Sequence, residues 1–336
     1  MTIWNKIYHR LHTEAWYLWF RGHQRRRRGG KVVKRYYSAE LPEADHNNKT
    51  VVYLADGRTS HGGLADRLRG MVSIYDVCRE NGVDFRIHFT SPFRLERYLQ
   101  PNRHEWRIDD DALSYSTSTP LGYFIDATDE NINRENRFQR KLLRKFVGSR
   151  FRQAHVYTNY TCGEERFAEL FNELFRPTEI VKEQIDKAKS KLGEGYISVS
   201  TRFLELLGDF REPRMLRQPL GESERRKLID SCISRIQKIH DRYCSDGRRI
   251  LVTSDSTTFL SRIKELPYVE TIEGSVSHID ASDTARDDAD LKTFVDFFAI
   301  AGATKSFLLV GPGMYNSNFS KRAAQIGGHD FTTVNF

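Results

Sequence analysis

The chain has 336 residues, 39% of them hydrophobic, enough for one large α/β domain or two of ordinary size. No apolar run approaches the roughly 20 residues that span a bilayer. The early run Ala15 to Phe20 is shorter than a secretory-signal core of about 7–15 residues, and no small-residue cleavage site follows it.

The formal charge of +8 is not spread along the chain. Residues 1–35 hold ten Lys and Arg against the single acid Glu14, whereas the remainder holds 43 against 44. A protein that tracks nucleic acid more often carries its basicity on the folded surface, so no nucleic-acid partner is expected. The rival reading is a non-catalytic α/β module with a basic nucleic-acid-binding arm. Cys78, Cys162, Cys232 and Cys244 lack C-x-x-C or metal-finger spacing and fit reduced thiols in a cytoplasmic protein.

Trp4, Ile7, Tyr8, Leu11, Ala15, Leu18 and Trp19 recur at helical steps, followed by Arg21, Arg25 to Arg28 and Gly29-Gly30. An aromatic-rich amphipathic helix beside a polybasic run suits an anionic membrane surface. It equally suits docking on the protein's own core. The expectation is that residues 1–35 form a membrane-associating segment and hold the protein peripherally on the inner membrane face.

The globular part is expected to begin with the apolar run Thr50 to Asp56, fit for a central parallel strand. Helix 64–79 and strand 84–89 complete a β-loop-α-β unit. Leu121 to Asp126 and Ala154 to Thr158 are further strands, with helix 134–146 between them. Helix 163–175 turns Phe167, Leu170, Phe171 and Leu174 inward, and Glu179 to Leu192 reads as a polar bridging helix.

The second half repeats the scheme. Strand 196–201 is followed by loop 203–222, then helix 224–243 with Ile229, Ile233, Ile236 and Ile239 on its stripe. Strand 250–254, helix 257–266, strand 268–272, acidic loop 274–290, helix 291–302, strand 306–310 and a last helix from Ser317 follow. The pattern predicts an α/β fold of two Rossmann-like domains facing each other across a cleft, with boundaries 50–178, 179–194 for the bridging helix and 195–328.

Three sites carry chemistry. His61-Gly62-Gly63, directly after the first strand, opens a helix with Asp66 and Arg67; glycines there allow close backbone approach, and a helix start favours anions. Strand 196–201 delivers Arg202 at its carboxyl end, where open α/β sheets bind ligands and where a guanidinium fork matches phosphate oxygens. Arg202 as a plain ion-pair partner is the alternative. Asp255 ends the next strand, as a ligand group or a helix cap. Asp109-Asp110-Asp111 contains a D-x-D spacing, yet sits in a polar segment and reads as a solvated loop; Asp287, Asp288 and Asp290 read as acids at a helix start. The eleven histidines show no paired metal-ligand spacing.

On these residues the chain resembles the GT-B fucosyltransferase superfamily, which includes α-1,6-, protein-O- and nodulation-factor fucosyltransferases. Gly62-Gly63-Leu64-Ala65-Asp66-Arg67-Leu68 is similar to the family's Gly-rich turn. Ser198 to Glu205 aligns with its h-x-V-H-V-R-x-x-D motif, with Ser200 at the usual His and Glu205 at the usual Asp. Val252 to Asp255 matches a strand ending T-D, and Asp296, strand 306–310, Ser317 and Arg322 to Ala324 match the third motif.

The resemblance implies an inverting, metal-independent glycosyltransferase with no cofactor, GDP-fucose as donor and a glycan acceptor, in bacterial surface polysaccharide assembly. Another nucleotide sugar is the alternative donor. Arg202 would stabilise the departing diphosphate. Asp66 or Glu205 would be the catalytic base. Gly62, Gly63, Arg67, Ser200, Asp255, Asp296, Ser317 and Asn318 would bind the donor.

Overall fold

Short β-branched runs between amphipathic helices favour parallel strands buried on both faces, and both sheets of this protein are built that way. The structure, a computed structural model, describes residues 15–44, 48–125, 133–159, 164–210, 218–244, 246–276 and 287–336. The Trp4 to Leu11 part of the expected first helix and Cys162 lie outside the described residues.

The chain forms two compact units, residues 1–95 with 101–175, and residues 96–100 with 176–336. In the first unit β1 (Thr50–Ala55), β2 (Asp84–Phe89), β3 (Leu121–Phe124) and β4 (Gln153–Thr158) form a parallel sheet in the order β2-β1-β4-β3. Every residue of β1 and β4 is buried. Helix α2 (Leu64–Glu80) packs tightly on this sheet: a Cβ at Gly70 would strike the Thr158 carbonyl, so only glycine fits that crossing. Helix α3 (Asn133–Val147) and helix α4 (Phe167–Leu174) complete the layer, and Phe167, Leu170, Phe171 and Leu174 face inward as their spacing predicts.

An ion-pair network ties these helices. The fully buried Asp76 accepts from Arg140 and Arg166, and Glu80 accepts from Arg140 and Arg144. Hydrogen bonds from Arg144 and then Arg140 hold the Glu80 carboxyl down at about 2, although burial opposes this.

The described part of the basic segment is joined to the globular part, as the alternative of a helix docked on the protein's own core allows. Helix α1 (Ala15–Tyr36) runs straight through Gly29-Gly30 and docks on the face of the first sheet that carries Val52 and Leu54. A Cβ at Gly29 would come within 2.9 Å of Tyr123 Cβ, which explains glycine inside a helix. Val32 and Tyr37 are buried, and the Tyr37 hydroxyl bonds His155 Nδ1 at 2.7 Å. The core thus begins within α1, not at Thr50, because an amphipathic helix beside an uncovered sheet face buries its apolar stripe there.

The second unit is a five-stranded parallel sheet: β5 (Ile197–Thr201), β6 (Ile250–Ser254), β7 (Val269–Glu270), β8 (Lys305–Val310) and β9 (Asp330–Asn335), in the order β9-β8-β5-β6-β7. Strand β9 extends the sheet beyond the expected limit at residue 328. Helix α5 (Glu179–Leu192) belongs to this unit rather than bridging two domains: it buries Val181, Ile185 and Leu192 and packs against α8 (Asp287–Ala301).

On one face of the sheet Ile197, Val199, Val252 and Phe307 pack against α6 (Glu222–Tyr243) and α7 (Thr257–Ile263). Alternate residues carry hydroxyl rungs, Ser198 to Ser306 at 2.7 Å and Ser200 to Thr253 at 2.9 Å, which satisfy buried polar groups in pairs. Cys78, Cys232 and Cys244 are buried thiols. Among the described residues, no helix is long and apolar enough to cross a membrane.

Docking of α1 has a measurable consequence. Removing residues 1–37 should lower stability by at least about 2 kcal/mol, since burial of a Val or Leu side chain is worth about 1.5–3 kcal/mol. A melting temperature equal to that of the full chain would mean that α1 is only an appendage.

Candidate active site

Parallel strands gather their carboxyl ends on one sheet edge, and that edge is where α/β sheets take ligands. In the second unit it is formed by the ends of β5, β6 and β8. Arg202 follows β5, the middle strand, with its side chain 22% exposed and its guanidinium 4.5 Å from the Phe210 ring centroid. The Tyr315 N–H donates to the Arg202 carbonyl at 2.9 Å, which brings the loop after β8 against the same residue. That loop ends at α9 (Phe319–Gly327). The half-buried Ser317 accepts from the Phe319 N–H at 3.3 Å, with Asn318 beside it at the helix start.

Asp255 is differently employed from either expectation. Its two carboxylate oxygens accept from the backbone N–H groups of Phe203 and Leu204, at 2.8 and 2.7 Å, and its side chain is 1% exposed. Arg202 Nε lies 3.5 Å from it. Neither oxygen is turned outward to a base or ribose. Nor does it cap α7, because Ser256 Oγ does so by accepting from Phe259. Asp255 instead anchors the turn that carries Arg202.

An acid of the loop after β5 returns the favour. Asp209, beyond that turn, accepts from Ser256 Oγ, Thr257 Oγ1 and Thr258 N–H at 2.8, 3.2 and 2.8 Å. Burial opposes its ionisation, but these hydrogen bonds outweigh it and hold the carboxyl below its usual range. The loops after β5 and β6 therefore each grip the other with a carboxylate. Sequence reading passed over Asp209; its only sign is an acid following Gly208, which has a φ of 81°.

The remaining candidates in this unit are drawn inward. Ser200 is buried and bonded to Thr253. Asp296 lies on α8, where it accepts from Lys292 at 2.6 Å, and burial pushes its carboxyl up. Glu205 is buried in the 3-10 turn Leu204–Leu207, three residues beyond Arg202. The structure thus brings Arg202, Asp255, Glu205, Ser317 and Asn318 to one sheet edge.

The first unit has its own edge, after β1. Gly62 has a φ of 90°, and a Cβ there would collide with the Asp66 carboxylate, so the turn requires glycine. Gly63 caps α2 in extended conformation. Arg67 is buried, donating to the Gly62 carbonyl at 3.1 Å and to Ser91 O at 2.9 Å. It braces the turn instead of extending from it. Asp66 is 39% exposed and bonded to Arg69 at 2.7 Å.

Beside them is a cluster that sequence reading also missed. Asp56 accepts from Tyr157 at 2.8 Å, and Arg58 sits 4.4 and 4.2 Å from the Tyr36 and Tyr115 rings. An acid immediately after the first apolar strand was the available signal. Asp110, within the D-x-D spacing, is exposed and paired with Arg94 and His88. Among the described residues, no group of three or more His, Cys, Asp or Glu side chains is disposed to hold a metal ion.

Solved structures share this fold at low sequence identity. The NodZ fucosyltransferase from Bradyrhizobium superposes with a TM-score of 0.53 at 15% identity, covering 84% of this chain and 94% of that one. NodZ α-1,6-fucosyltransferase co-crystallised with GDP gives 0.52 at 14% identity, covering 84% and 93%. A mutant of Arabidopsis thaliana FUT1 in complex with GDP gives 0.53 at 13% identity, covering 98% and 77%.

The chain has the fold of GT-B fucosyltransferases. It matches no protein-family model, and no curated protein matches it in sequence. The likeness is one of architecture: parallel sheets with helices around them, carrying few of the same side chains.

The anchoring role of Asp255 is testable. Asp255→Asn keeps the shape but sets an amide N–H against a backbone N–H, which leaves a buried donor unsatisfied at about 1–3 kcal/mol. The variant should melt earlier, as the turn carrying Arg202 loses its anchor. Unchanged melting would remove the anchor.

Proposed function

We propose that this protein is an inverting fucosyltransferase that transfers fucose from GDP-fucose to a glycan acceptor in bacterial surface polysaccharide assembly. The observation that carries the reading is Arg202, a partly exposed guanidinium at the carboxyl edge of the middle strand of the second sheet, on a turn fixed by Asp255. The neighbours that share this fold are fucosyltransferases, and GDP occupies two of those compared.

In the proposed reaction an acceptor hydroxyl oxygen attacks the anomeric carbon of fucose as the bond from that carbon to the diphosphate oxygen breaks. GDP leaves with the bonding electron pair. The hydroxyl proton passes to a carboxylate, Asp66 or Glu205, or to water. Negative charge grows on the leaving diphosphate, and a fixed cation there needs no reorganisation at the moment of reaction. Ser317, Asn318 and the start of α9 offer further donors to phosphate. Residues 1–35, with a net charge of +9 and three of the four tryptophans, hold the protein peripherally on the anionic inner face of the membrane.

Thermal unfolding with nucleotides tests the donor. GDP at about 100 times its dissociation constant should add about 2.7 kcal/mol of stability, with UDP and CMP adding nothing. Stabilisation by UDP or CMP in place of GDP would reassign the donor and overturn the fucosyl reading.

Arg202→Lys tests the residue. Lysine keeps the charge but loses the planar two-point grip on phosphate oxygens. Release of GDP from GDP-fucose should slow by on the order of a hundredfold, since one such contact is worth about 3 kcal/mol of barrier, while GDP affinity falls much less. A folded variant with near-normal turnover would take Arg202 out of the mechanism.

A further inference from the structure

Two helices of the first unit converge on one edge of its sheet. Strand β3 is that edge. Helix α1 crosses it with Gly29 against Tyr123, and α3 covers it from Phe146, which lies beside Gly122. The helices meet directly: the buried Arg25 donates to the amide oxygen of Gln139, with that amide oriented by its hydrogen bonds.

Burial then sorts the charges. On α1 the inward positions are Arg25, Gly29 and Val32, while Arg26, Arg27, Arg28, Lys31, Lys34 and Arg35 are exposed. The whole of α1 contains no acid. On α3, Arg140 and Arg144 turn aside to Glu80 and Asp76. Lys141 and Lys145 lie four residues apart on its exposed face.

We propose that α1 and α3 together form one composite basic surface, wrapped around the edge strand β3, that docks on an anionic lipid bilayer. This rests on the membrane reading above and extends it from a basic segment to a face of the folded unit. Cations spread over two helices suit a broad sheet of lipid phosphate. Duplex DNA is the competing polyanion.

The full chain is sedimented with vesicles of phosphatidylcholine alone and of phosphatidylcholine mixed with phosphatidylglycerol, at low salt. Each cation near an anionic surface is worth about fivefold in partition. Lys141→Gln with Lys145→Gln should therefore weaken binding to the mixed vesicles by about 25-fold, leaving the feeble binding to phosphatidylcholine as it was. The matched pair Lys227→Gln with Lys238→Gln, exposed on α6, should change nothing. Stabilisation by GDP should persist in every variant, so failure of the surface is distinguishable from failure of the donor assignment. Parent-like vesicle binding by the α3 pair, or equal loss in the α6 pair, overturns the composite surface. So does tight, steeply salt-dependent binding to duplex DNA with no preference for the mixed vesicles.

Discussion

A carboxylate beneath a turn is the contact on which the candidate site depends. Asp255 accepts two backbone N–H groups just past Arg202, and Leu204 takes a φ of 55° as the chain reverses there. A left-handed leucine costs of order 1–2 kcal/mol, and two charge-assisted hydrogen bonds in a buried setting offset it. The turn keeps Arg202 at the sheet edge, with its carbonyl tied to Tyr315. Asp209 ties the opposite loop in the same manner. Two adjacent parallel strands otherwise leave their loops free to move independently; reciprocal carboxylates make them one rigid piece, which is what a preorganised cation requires.

The first unit solves a related problem with glycine and aromatic rings. Gly62 allows the turn after β1 to fold over Asp66, and Arg67 pins that turn to the end of β2 through Ser91. Arg58 is held between Tyr36, the last residue of α1, and Tyr115. The helix that carries the basic run thereby touches the loop beside the Gly-rich turn. Its docking and the shape of that edge are physically coupled.

Identity of 13–15% with the superposed fucosyltransferases is low enough that few side chains can be shared. A fold is more durable, because a parallel sheet covered on both faces is satisfied by many apolar combinations of the right volume. Two of the polar residues singled out in the sequence are spent inside this fold: Ser200 is absorbed into a hydroxyl rung with Thr253, and Asp296 into a pair with Lys292.

Much of the architecture was legible in the sequence. Period-two and continuous apolar runs located β1, β2, β5, β6 and β8, and three- and four-residue spacing located α2, α4 and α6. Such local periodicities are imposed by backbone geometry alone. Arg202 at a strand end was legible for the same reason. The sequence could not show which partner each polar side chain would meet.

Asp255 was expected to meet a ligand or cap a helix and holds two backbone N–H groups; Arg67, expected to bind the donor, braces its own turn; α5 was expected to bridge and packs on α8. Gly29 sits inside a helix because Tyr123 occupies the space of a side chain there. Each of these outcomes depends on residues distant in the chain that only the sheet brings together. The sequence by itself determined where strands and helices begin and where the charges lie; tertiary structure decided which charges are spent inside, because a buried polar group must take the partner nearest in space rather than nearest in sequence.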